Sequence, residues 1–333
     1  VSASTIGRAM LCALGLGAAA CGSFEDPNVV IDLRVLAMAA TPPDQVIDVD
    51  LTQPVTPDVL LAQVMPTEVC ALVADPGADR RLAWSMTACQ FDSNEPDRCN
   101  PDGRRIALRS GVIEDPDTVE RPQPLCATAR PDPALLLLLS DIVAGDTLRG
   151  LGGVDYVVVL RIGGEDDDRA LDEFAIKTVR LAPRIPAERS ANTNPMLAQL
   201  AVIGDMMPVS TLDFGHCRET GARYLMTPGQ RLQITPIETD GTREVYTVPT
   251  LDGRTQTFTE SLTYQWIASA GAFSSGNTGG PRDISGNPAP IASEYRAPPA
   301  DEVTEPFDAT LWVIQRDERL GVRWYETCVF ISP

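Results

Sequence analysis

Cysteine carries most of the potential chemistry in this chain. Cys70, Cys89, Cys99, Cys126, Cys217 and Cys328 could pair oxidatively, bind zinc or act as nucleophiles, and their spacing chooses among the three. Zinc sites are built from CxxC pairs or paired histidines. The chain has no CxxC spacing, and His216 is its single histidine. His216 beside Cys217 suggests a base and a nucleophile, yet neighbours along a strand point to opposite faces, and an exported thiol is consumed by oxidation. Disulfides are therefore the expected chemistry. Cys89 and Cys99 flank a polar loop and form the first expected bridge, worth ~2–3 kcal/mol in the chain-entropy picture. Cys70 with Cys126 would cross-link two strand candidates, and Cys217 with Cys328 would tie an early loop of the second half to its last strand. Six cysteines admit fifteen pairings, so the alternatives stay open.

Oxygen ligands come next. Glu165, Asp166, Asp167 and Asp168, with Asp172 and Glu173 nearby, could hold a Ca²⁺ ion, since that metal suits oxygens from a flexible loop. The competing reading is a solvated hairpin tip, because the spacing matches no calcium loop. Glu114, Asp115 and Asp117 pose the same choice. No GxSxG, P-loop or helix-opening GxGxxG occurs, and Gly150, Gly152 and Gly153 precede a strand and read as a turn. The sequence thus predicts no catalytic residue, no cofactor and no enzyme.

An address is written at the start of the chain. Residues 9–20 are an apolar, small-residue run that follows Arg8 and ends on Cys21. The run is too short to cross a ~30 Å hydrocarbon layer, so residues 1–20 read as a cleaved lipoprotein signal peptide, with Cys21 as the lipid attachment site and 21–28 as a tether. Ala18 and Ala20 would also suit ordinary signal cleavage. If Cys21 is lipidated, the six remaining cysteines can pair completely. Gly22, in place of Asp, follows the pattern of lipoproteins sent to the outer membrane. The expectation is a lipid-anchored (palmitate-carrying) outer-membrane protein, periplasmic or surface-exposed. A net charge of −19 repels phosphate backbones and excludes nucleic acid as a partner.

The elements that must position these residues read as strands. With 28 prolines and 25 glycines, the chain is punctuated every few residues, and the short apolar runs between are rich in β-formers. Strands are expected at 29–40, 68–74, 81–89 and 105–109, then as a hairpin at 154–162 and 173–181 with an acidic tip. One helix is expected over 134–143, N-capped by Asp132 with Pro133 in its first turn. Its five leucines predict burial between sheets or against a neighbouring domain. Residues 183–195 are polar and aperiodic. The organisation predicted is a first sandwich over 29–183, a linker over 184–195 and a second sandwich over 196–333. In the second, strands are expected at 196–203, 231–237, 244–248, 262–268, 310–316 and 322–331, with a long loop over 273–299. Trp84 and Trp266 alternate as core residues; Trp312 and Trp324 are candidates for an exposed glycan-binding face.

Short motifs add a family-level expectation. RVLA with two prolines (Arg34 to Ala37, Pro42, Pro43), Trp84 with Cys89 and Cys99, and NTNP (Asn192 to Pro195) recur as a set. So do Trp266 with Ala270 and Gly271, and Arg316–Asp317 leading to Trp324. Together these resemble poorly characterised Gram-negative lipoproteins with immunoglobulin-like domains. That resemblance implies two tandem immunoglobulin-like sandwiches on a lipid anchor, with no activity attached. The functional expectation is a non-enzymatic cell-envelope module that binds a protein or glycan or serves a structural role. The alternative is a lipid-anchored hydrolase or an accessory subunit of an export or surface-polysaccharide system. A deep pocket shared by the 273–299 loop and the helix near Leu135 to Leu139 would favour that alternative.

Overall fold

The computed structural model describes residues 26–49, 62–76, 80–95, 98–114, 124–148, 150–167, 172–204, 210–215, 217, 224–250 and 252–333. The signal segment, Cys21, Asp115, Asp117, Asp168 and His216 lie outside them.

The first half holds β1 (Arg34–Thr41), β2 (Asp44–Ile47), β3 (Thr67–Ala74), β4 (Leu82–Cys89), β5 (Arg105–Ile113) and β6 (Pro124–Ala129). After these come α1 (Pro133–Gly145), β7 (Val154–Gly164) and β8 (Glu173–Pro183). Two sheets, ordered β1-β3-β6 and β2-β8-β7-β4-β5, close over one core. Alternation puts Met38, Val69 and Ala71 inward from one sheet and Leu82, Trp84, Met86, Val158 and Leu160 inward from the other. The helix begins where expected, with the Leu135 N–H donating to Asp132 Oδ1 at 2.9 Å. Leu135, Leu138 and Leu139 enter the core, whereas Leu137 is exposed, so the leucine run has an outer face after all.

The second half holds β9 (Leu197–Gly204), β10 (Ser210–Leu212), β11 (Tyr224–Met226), β12 (Arg231–Glu238), β13 (Val245–Pro249) and β14 (Thr255–Thr259). It continues with β15 (Thr263–Ala268), β16 (Ala272–Phe273), β17 (Asn277–Gly279), β18 (Ser293–Arg296), β19 (Phe307–Arg316) and β20 (Val322–Ile331). Sheets ordered β10-β9-β12-β18-β16 and β11-β20-β19-β15-β17 enclose a second core, and β13-β14 form a separate ribbon. In each half a short early strand pairs in parallel with the last one, β2 with β8 and β11 with β20. All other strand pairs are antiparallel, which makes both halves immunoglobulin-like sandwiches. The 273–299 segment, expected to be one long loop, instead contributes Phe273, β17 and β18 to these sheets. Its short apolar stretches fell below the length at which alternation is readable.

The sandwiches stack face to face. On β15 and β19, Tyr264, Trp266, Leu311 and Val313 face the second core, while Ile267, Trp312 and Ile314 face outward. On β3, Val69, Ala71 and Val73 face the first core, and Leu72 and Ala74 face outward. The two outward sets meet each other, with Leu36, Val30 and Val322, in a third apolar cluster. Four sheets therefore lie in four layers, and each large side chain dried in the middle seam contributes about 1.5–3 kcal/mol. The entering segment is sewn into this arrangement, since the Val30 N–H donates to Ala268 O at 3.0 Å and the Ala268 N–H donates to Asn28 O at 2.9 Å.

Candidate functional site

Beside the apolar seam, the turn between β19 and β20 builds a charged corner. Asp317 Oδ1 accepts the N–H groups of Arg319 and Gly321, both at 2.7 Å, and Leu320 takes a positive φ of 81°. This tight turn aims Arg319 back across the joint. Its Nη2 donates to Ser190 O at 2.8 Å, its guanidinium lies over the Tyr246 ring at 4.9 Å, and three carboxylates surround it. Glu244 stands at 3.3 Å, Glu260 at 3.4 Å and Asp44 at 3.8 Å.

The stretch between the halves supplies the rest. The Asn192 N–H donates to Asp44 Oδ1 at 2.5 Å, and its Nδ2 donates to Asp317 Oδ2 at 3.0 Å and to Arg319 O at 2.9 Å. Asn194 Nδ2 donates to Ala40 O at 2.8 Å, while its Oδ1 accepts the Val322 N–H at 2.9 Å. Lys177, the chain's single lysine, is buried and donates to Leu320 O.

Charge crowding governs the corner. Burial pushes the Glu260 carboxyl up to about 7, with Asp317 and Glu244 adding to it and the Glu244 N–H and Arg319 opposing it. Burial likewise raises Asp44, against the pull of the Asn192 N–H and Arg319. Lys177 is pushed down to about 8 by burial, although Asp317 favours its charge. One guanidinium ringed by acids, with a further donor on the Ser190 carbonyl, turns its hydrogen bonds onto the joint itself.

Next to the corner the two inner sheets splay apart and leave a cleft of about 690 Å³. Pro42, Pro43, Asn192 and Trp324 line it, together with the Cys70–Cys126 disulfide. Asn192 Oδ1 is buried without a hydrogen-bond partner among the described residues. Ligand sites share this size and this mostly apolar lining with a few polar groups.

The three disulfides are Cys70–Cys126, Cys89–Cys99 and Cys217–Cys328, the pairing that the strand placement favoured. Trp84 and Trp266 are core residues. Trp312 is also fully buried, at 0% exposure, because the outer face of β19 is covered by the first sandwich. It therefore offers nothing to a glycan. Trp324 alone of the two is partly exposed, in the cleft wall. The acidic tip is met by arginines: Arg81 pairs with Glu165 at 2.6 Å and Glu114 at 2.9 Å, and Arg80 lies 3.5 Å from Asp167. Among the described residues the one group with metal-ligand proximity is Glu68, Cys70 and Cys126, whose sulfurs are bonded to each other. Helix α1 packs on β7 and β5 of the first half, whereas the 273–299 segment contributes its strands to the sheets of the second.

Sequence reasoning missed Asp44, Asn192, Glu260 and Arg319. The signal lay in the motifs carrying the resemblance: the paired prolines, NTNP and the Arg316–Asp317 turn all converge on this joint. Among the described residues no helix is long and apolar enough to cross a membrane.

These observations define an all-β protein of two stacked immunoglobulin-like sandwiches cross-linked by three disulfides. No family model and no curated protein matches the chain. Among solved structures it is similar to native E. coli alpha-2-macroglobulin, at 11% identity and a TM-score of 0.23, over 92% of this chain and 17% of that one. It is also similar to dimeric latent PorU from Porphyromonas gingivalis, at 9% identity and a TM-score of 0.19, over 92% of this chain and 25% of that one. The chain thus spans a quarter or less of the length of either protein, and likeness at this level adds nothing to what its own sheets show.

Proposed function

We propose that this chain is an exported, lipid-anchored envelope protein whose two sandwiches act as one block, presenting the inter-sheet cleft to a protein or glycan partner. The observation that carries this reading is the joint. Asn192, Asn194 and Arg319 hold the halves at a fixed angle beside an apolar cleft, and preorganised concave surfaces lose the least entropy on binding. Three disulfides fit an oxidising compartment, and the run ending on Cys21 supplies the anchor. The outer membrane is the destination that Gly22 favours.

Affinity capture from detergent-solubilised envelope tests the binding half of the proposal, with the mature chain run beside Trp324→Ala. A defined protein or glycan retained by the first and lost by the second is expected. Equal retention by both, or none by either, would refute the cleft as the binding surface. Fractionation of Cys21→Ser tests the anchor: the variant is expected to leave the membrane fraction, and retention there at the wild-type level rejects lipid attachment.

A further inference from the structure

The three disulfides occupy unlike environments. Cys89 and Cys99 are 0% and 2% exposed, and Cys217 and Cys328 are each 3% exposed. Cys70 and Cys126 are both partly exposed and form part of the cleft wall. Their position follows from the pleat of β3. Along its outer face, Glu68 is in solvent, Cys70 is half-buried, and Leu72 and Ala74 are sealed in the seam, so the bridge sits at the mouth where the two sheets part.

The bridge also joins residues that the sheet already holds together. Cys70 lies directly opposite Cys126 in the β3–β6 ladder, which continues on both sides, from Thr67 opposite Ala129 to Leu72 opposite Pro124. Opening it therefore leaves the strands paired and the first core covered. Two cations attend it. Arg109 Nη1 donates to Cys126 O at 3.0 Å, and Arg323 lines the same cleft. Cationic groups beside a cysteine favour its thiolate, and the Glu68 carboxylate, within 4.8 Å of both sulfurs, opposes them.

We propose that Cys70–Cys126 is a thiol–disulfide exchange site, served through the cleft by a dithiol, while the other two bridges are permanent. A thiolate of the dithiol bonds to one of the two sulfurs, the Cys70–Cys126 bond breaks, and the other cysteine leaves as a thiolate that takes up a proton. The second thiol of the partner, deprotonated, then displaces the mixed disulfide. The partner ends as a disulfide, oxidised by two electrons, and Cys70 and Cys126 end as two thiols. The proposal goes beyond partner binding and does not depend on lipid at Cys21.

The test uses the folded, fully oxidised chain, exposed in separate arms to dithiothreitol and to a reduced thioredoxin, and quenched at intervals with N-ethylmaleimide for peptide mapping. Labelling of Cys70 and Cys126 at least tenfold faster than the other four cysteines is expected. Selectivity in either arm supports the site, and the arm that shows it identifies a small or a protein dithiol. Uniform labelling of all six, or earlier labelling of another pair, in both arms overturns it. Thr193→Trp, which fills the cleft from its rim, is expected to slow labelling of Cys70 and Cys126 at least fivefold. An unchanged rate in a folded variant overturns the cleft as the route, and if that variant does not fold, the wild-type comparison decides alone.

Discussion

Two regions join the same pair of sandwiches by different physics. In the seam, Trp312, Ile267 and Ile314 of the second half meet Leu36 and Leu72 of the first, and the gain scales with apolar area and is indifferent to salt. A few residues away, the corner buries the Arg319 guanidinium among Asp44, Glu244 and Glu260, where desolvation of each ion offsets much of the attraction. The seam supplies cohesion without direction. The corner supplies direction, through hydrogen bonds that are satisfied at only one angle between the sheets.

That contrast can be broken at either side. The largest effect is expected from Trp312→Ala, which empties the seam and should cost about 3–5 kcal/mol in urea unfolding, equally at low and high salt. A strong salt dependence would count against a dry seam. Arg319→Ala should cost about 2–4 kcal/mol by leaving acids buried without their cation, and adding Glu260→Gln should restore part of the loss. Failure of the second substitution to recover any stability would remove charge crowding as the cause.

Acid–base titration sharpens the comparison further. Glu260 has its folded value near 7, above its ordinary carboxylate value, so the folded state binds the extra proton between about 4.5 and 7. Its contribution is fully favourable below that window and is lost as pH rises through about 7, by an amount on the order of 2 kcal/mol. Glu260→Gln should accordingly be more stable than the parent chain at pH 8 and flatter across the window. Lys177 has the opposite shift for a base, so its charged form is penalised in the fold, and stability gains as pH climbs from about 8 towards 10.5. Lys177→Met should abolish that alkaline rise, whereas the seam variant should keep both slopes. The smallest effect belongs to Leu320→Gly, which relieves a positive φ and should stabilise the turn by about 0.5–1 kcal/mol in thermal unfolding.

The sandwich pattern was legible because most strands alternate against one core. Leu232 and Ile234 on β12 and Leu82, Trp84 and Met86 on β4 are inward, as period-two reading requires. The seam was not legible by that rule. Strand β19 is buried on both faces, so alternation assigned Trp312 to a free surface, and the unbroken run from Leu311 to Ile314 was the sign of two-sided burial. The corner failed for a different reason. Asn192 and Asn194 look like solvated linker residues in isolation, and only the fold shows that backbone groups at Asp44, Ala40 and Val322 need them. Charged partners separated by well over a hundred residues, as Asp44 and Arg319 are, leave no local trace.

The stitch between Asn28–Val30 and Ala268 bears on the order of assembly. A chain delivered from its N-terminus brings these residues out first, yet their hydrogen-bonding partners arrive some 240 residues later, and the cover over Leu36 and Leu72 comes with β15 and β19. Until then the first sandwich carries a greasy outer sheet with nothing against it, a surface that invites aggregation or a chaperone. Truncation within the last hairpin would strand the molecule in that sticky half-built form, so its two units are partners in folding before they are partners in anything else.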